Sequence, residues 1–80
     1  MIASSTLLES INAVRSNKGL PTFPQLPATA LLREDVGLDS LDLAELTARI
    51  YERHRVDVFA SGLVFTVGEV DQRISRGRKE

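Results

Sequence analysis

Apolar positions recur with helical spacing in three stretches of the chain. In "STLLESINAVRSNKG" the stripe is Leu7, Leu8, Ile11 and Val14, which predicts a first helix with that face turned inward. Thr6 with Glu9 three residues later reads as its capping box, and Asn17 and Gly19 as its terminators. A second stripe, Leu43, Leu46, Thr47 and Ile50, continued by His54, predicts a helix from Asp39 or Ser40 to about Arg53. Its polar face would carry Asp42, Glu45, Arg49 and Glu52, with Leu41 and Ala48 near the margin. The third stripe, Val67, Val70 and Ile74, follows "TVGE", where Thr66 and Glu69 form a second capping box.

The stretches between these stripes differ from one another. "LPTFPQLPATALLREDVG" holds Pro21, Pro24 and Pro27, a density that rules out a regular helix. Leu20, Phe23, Leu26, Leu31 and Leu32 make it too apolar for a floppy linker. It reads as a long ordered loop pinned to the core, with a helical turn at residues 28–33. "VDVFASG" reads as a short turn or a one-turn helix closed by Gly62. The predicted fold is all-α: a small four-helix bundle of three main helices and one short third helix, with a long first loop. Residues 1–80 form a single domain, its core at about 4–75, with 76–80 a frayed tail. Leu7, Ile11, Leu43, Leu46, Ile50, Val67, Val70 and Ile74 are predicted to converge.

Composition narrows the chemistry. Apolar residues make up 42% and charged residues 26%, an ordinary globular balance. With no cysteine, neither disulfides nor thiolate metal sites can support the core, which fits a cytoplasmic protein. The single histidine excludes a histidine-cluster metal site. No apolar run approaches a membrane span, and the opening "MIASSTLLES" lacks the pattern of a signal peptide. The net charge of −1 conceals an uneven distribution. Residues 34–48 hold Glu34, Asp35, Asp39, Asp42 and Glu45 and no base, which argues against nucleic acid and for a basic partner.

The acidic segment contains "VGLDSLDLAEL", in which Ser40 stands between Asp39 and Leu41. A catalytic serine needs a base within hydrogen-bonding reach, and His54 lies almost four helical turns away. An 80-residue bundle also leaves little room for a substrate cleft, so an enzymatic role is not expected. Ser40 can instead act as a plain helix cap, with Asp39 and Asp42 complementing the helix dipole. That reading explains the acids but not why Leu38 and Leu41, both taken as exposed, flank them. The third reading is an attachment point presented outward at a helix start.

For that reading there is a resemblance. "GLDSLDLAEL" at residues 37–46, its position halfway along the chain, and "TVGEVDQRI" at residues 66–74 resemble the acyl carrier protein family. The resemblance covers nearly the whole chain and implies an acyl-carrier-like bundle. It implies that Ser40 carries a covalent 4′-phosphopantetheine arm, derived from coenzyme A, whose thiol holds an acyl group as a thioester. The protein would then shuttle that group between enzymes of fatty-acid, lipid or polyketide-type biosynthesis, without being an enzyme itself. The implied partners are a holo-carrier-protein synthase or other phosphopantetheinyl transferase, and enzymes that load, transfer or condense the acyl group. The expected recognition face is Asp39, Leu41, Asp42, Glu45, Ala48 and Glu52. The interior of Leu43, Leu46, Ile50, Val67 and Val70 would form an acyl pocket. No metal, nucleic acid or membrane insertion is implied, and the chain is expected to be monomeric.

The chain also departs from the family. Arg49, Arg53, His54 and Arg55 interrupt a second helix that is commonly more acidic, and His54 stands where the register leads to a phenylalanine. The segment before Thr66 is shorter by about two residues, and the first loop is richer in proline and leucine. These differences favour a dedicated carrier of one specialised pathway. An aminoacyl or peptidyl carrier, or a carrier-fold interaction module that never receives the arm, remain the alternatives.

Overall fold

The computed structural model describes residues 1–60 and 62–77. The three apolar stripes become three helices: α1 (Ser5–Asn17), α2 (Ser40–His54) and α3 (Val67–Gly77). Among the described residues there is no strand, only two isolated antiparallel bridges, Ile2 with Pro27 and Leu31 with Thr66. Leu7, Ile11 and Val14 of α1, Leu46 and Ile50 of α2, and Val67, Val70 and Ile74 of α3 are buried in one cluster. Leu43 is only half-buried and packs against its edge. Among the described residues, no helix is long and apolar enough to cross a membrane.

The first helix begins differently from the local reading. Its N-cap is Ser4, whose Oγ accepts from Leu7 N at 3.2 Å, while Thr6 lies within the first turn. Asp71 of α3 selects this start. It accepts from Ser4 N at 2.8 Å and from Ser4 Oγ at 2.7 Å. A cap held by a residue so distant in sequence leaves no local signature. Glu9, freed from the expected capping box, accepts from Arg53 of α2 at 2.8 Å.

The connection between α1 and α2 is built into the core. Leu26, Leu32, Val36 and Leu38 are buried. The carboxamide of Asn12 pairs with both backbone groups of Phe23, donating to its carbonyl at 2.8 Å and accepting from its N–H at 2.9 Å. Ala30 O and Ala28 O accept from Val67 N and Gly68 N, two first-turn donors of α3 that have no partner within the helix. Gly68 makes this approach feasible, since a Cβ there would meet both Cβ and O of Ala28 at 3.0 Å. The expected helical turn at 28–33 is displaced. Helix-type bonds run from Asp35 N to Leu31 O and from Gly37 N to Arg33 O, because residues 28–30 are committed to α3.

The connection between α2 and α3 contains no helix among the described residues, so the expected short third helix is replaced by a turn at residues 58–60. Arg73 of α3 explains the difference. Its guanidinium donates to Val58 O at 2.9 Å, Gly62 O at 2.7 Å and Leu63 O at 3.2 Å, drawing these carbonyls toward a side chain. Arg76 and Gly77 of the expected tail are helical, and Gly77 lies against Val56. Residues 78–80 of the expected tail lie outside the described residues.

Candidate functional site

Ser40 is the first residue of α2 and is exposed. The chain reaches it through Asp39, whose extended backbone (φ −93°, ψ −174°) turns abruptly into the helix. Asp39 and Asp42 form a reciprocal capping box. Asp42 N donates to Asp39 Oδ1 and Asp39 N donates to Asp42 Oδ2, both at 2.9 Å. Asp39, rather than Ser40, therefore caps the helix, which leaves the serine side chain outside the capping network.

The two leucines beside this junction have different fates. Leu38 is 2% exposed and Leu41 is 82% exposed. Leu38, expected to be exposed, is an anchor that draws the loop into the core. Leu41 is a solvent-facing apolar side chain next to the serine.

Asp42 corrects the expected recognition face. It lies four residues before Leu46 and eight before Ile50, on the inner stripe, and only 7% of it is exposed. Its Oδ2 accepts from Lys18 Nζ of α1 at 2.6 Å. The Lys18 ammonium, seconded by the Asp39 N–H, holds the Asp42 carboxyl below its ordinary range. In return the carboxylate raises Lys18 above the usual lysine value. The other expected face residues divide by environment. Asp39, Leu41, Ala48 and Glu52 are exposed, whereas Glu45 is half-buried. Glu45 Oε2 accepts from Asn17 Nδ2 and from Arg49 Nε, each at 3.0 Å. Leu41, Glu45, Ala48 and Glu52 follow one helical face running away from Ser40.

Two of the basic residues that interrupt α2, Arg49 and Arg53, are paired with acids of this chain. Arg49 pairs with Glu45 at 2.9 Å and Arg53 with Glu9 at 2.8 Å. His54 is the last residue of α2 and Ser40 the first, so the two stand roughly 21 Å apart along the axis. Of the expected interior, Leu46, Ile50, Val67 and Val70 are fully buried together, with Leu43 at the margin.

Two residues missed by sequence reasoning support the loop before Ser40. Arg15 Nη1 donates to Val36 O at 2.6 Å and its Nε to Pro21 O at 2.8 Å, with the guanidinium 4.4 Å above the Phe23 ring. Lys18 reaches Asp42 and, more loosely at 3.5 Å, Gly37 O. The available signal was a pair of cations closing α1 ahead of a base-free acidic segment. Compared with known proteins, the chain matches no family model, no curated protein and no solved structure.

Proposed function

We propose that this chain is a carrier protein that holds an acyl group as a thioester on a 4′-phosphopantetheine arm attached to Ser40. The observation that carries the reading is the exposed Ser40 at the first position of α2, with Asp39 assuming the cap in its place. A serine used only for capping would sit one position earlier and turn its oxygen toward the helix amides. This one is left available.

In the attachment step, the Ser40 hydroxyl attacks the phosphorus of coenzyme A that bears the pantetheine arm. The new Ser–O–P bond forms as the pyrophosphate linkage breaks. Adenosine 3′,5′-bisphosphate leaves, and the serine proton passes to a base of the transferase. The arm contributes the thiol that this cysteine-free chain lacks. In this reading, the turn at residues 58–60 occupies the place of the short third helix of a four-helix carrier bundle.

The transferase and the loading, transferring or condensing enzymes would dock on Asp39, Leu41, Ala48 and Glu52, with Glu45 at the rim. A small apolar side chain among acids suits a transient interface to a basic partner. Asp42 would act from within. The apolar interior around Leu46, Ile50, Val67 and Val70 offers a bound acyl chain a compatible environment. Arg49 and Arg53 are paired with Glu45 and Glu9, so these two bases are offset within the molecule.

Intact-protein mass after incubation with coenzyme A and a broad-specificity phosphopantetheinyl transferase tests the reading. One phosphopantetheinyl group should be added to the parent and none to Ser40→Ala, with both variants giving the same helical circular dichroism. Addition that persists in Ser40→Ala, or no addition to the folded parent, would reject it.

A further inference from the structure

We infer that Lys18 is a positioning residue for Ser40, acting through Asp42 and the carbonyl of Gly37 at the turn into α2. The inference rests on the carrier reading and adds to it a residue from a different helix.

Cations in the last turn of a helix need no special explanation, because they complement its dipole. What distinguishes Lys18 is where its head goes. It leaves its own helix end and reaches across to the first turn of α2, where Nζ lies 2.6 Å from Asp42 Oδ2. The same oxygen accepts the N–H of Asp39, the residue bonded to Ser40. One ammonium, one carboxylate oxygen and one peptide N–H thus form an unbroken line from α1 to the serine's neighbour. The reciprocal bond from Asp42 N to Asp39 Oδ1 closes the loop.

The residues leading into Ser40 are fixed just as firmly. Val36 is fully buried and its carbonyl is held by Arg15. Gly37 turns with φ +80°, and a Cβ there would lie 3.4 Å from Arg15 Nη1. Leu38 is buried next. Every residue from 36 to 39 is therefore anchored by burial or by a bond, and Ser40 follows as an exposed side chain outside the capping box. A hydroxyl that must attack a phosphorus held in another protein gains from such a mount, since the reacting geometry need not be found at each encounter.

Lys18 could alternatively act by touching the transferase, but Asp42 is too buried for that. This difference supplies the test. Initial rates of arm transfer from coenzyme A would be measured over a range of carrier concentrations. The proteins are the parent, Lys18→Met, Lys18→Arg, Asp42→Asn and the Lys18→Met/Asp42→Asn pair, each checked for fold by circular dichroism and urea unfolding. Positioning predicts that kcat falls about tenfold in Lys18→Met and in Asp42→Asn, the scale of one charge-assisted hydrogen bond, while KM changes little. The double variant should be no slower than either single one, and Lys18→Arg should recover most of the rate.

Parent-like rates in Lys18→Met, or a loss confined to KM, would overturn the inference while leaving Ser40 as the attachment site. A double variant whose losses multiply would do the same. A parent that accepts no arm would remove the carrier reading and this inference together. If Asp42→Asn fails to fold, the split between kcat and KM in Lys18→Met and its rescue by Lys18→Arg decide the matter.

Discussion

The two connections of this molecule, one before α2 and one after it, are each gathered by polar side chains from a helix or its end, yet they serve different ends. Before α2, Asn12 and Arg15 of α1 and Lys18 at its end grip a segment whose Leu26, Leu32, Val36 and Leu38 are buried. After α2, Arg73 holds three carbonyls of a segment in which, among the described residues, Val56, Val58 and Val64 are buried and Leu63 and Phe65 exposed. The first connection ends at an exposed serine, and its anchors converge on that end. The second ends at the capping box of α3. Proline-rich backbone is as well fixed as a helix when its side chains reach the core and its carbonyls find donors.

The largest test of this contrast is Leu32→Ala, which should cost about 2–5 kcal/mol in urea unfolding because the site is buried. A near-neutral result would mean the first connection is draped on the core rather than part of it.

Next in size is Arg73→Met, which keeps the stem and removes three charge-assisted bonds. It should cost about 1–3 kcal/mol. Amide exchange should accelerate at residues 58–64 while the rate of arm transfer to Ser40 stays unchanged. A slower transfer would show that the two connections are coupled and erase the distinction.

The smallest effect is a dependence on acidity that the connections share. Asp42 is held low by Lys18, and Glu69 is held low by the N–H groups of Phe65 and Thr66. A carboxyl whose folded value is depressed contributes stability that is present above its unfolded value and lost as pH falls through the folded one. Stability should therefore decline below about pH 4. Asp42→Asn should flatten only its own part of that decline, leaving the part due to Glu69. An unaltered acid profile in that variant would show that the Lys18 pair contributes nothing to folding.

Much of this was legible in the chain. The stripes at Leu7, Ile11 and Val14 and at Val67, Val70 and Ile74 fixed two inner faces, and Thr66 with Glu69 announced the start of α3, because caps and periodicity are local. The start of α2 beside Ser40 was legible for the same reason. Asp42 was misassigned because a carboxylate on an inner stripe reads as a surface residue until its lysine is known, and Lys18 lies a whole connection away. Thr6 was read as the cap because Asp71, which holds the actual cap Ser4, belongs to the last helix. The third helix was expected because nothing local shows that Arg73 will claim the carbonyls of Val58, Gly62 and Leu63.

The bond between Ser4 and Asp71 has a consequence for how the molecule comes apart. A helix capped from within its own sequence can persist as a fragment, but α1 takes the partner of its cap from α3. Peeling α3 away would unhook the start of α1, and the inner stripe of α1 would lose its cover in the same event. Partial unfolding from either end is thereby discouraged, which makes the bundle behave as one cooperative unit rather than three helices in series. A fragment that stops short of Asp71 would lack this support for the start of α1, and with it the helix end from which Lys18 reaches the turn that presents Ser40.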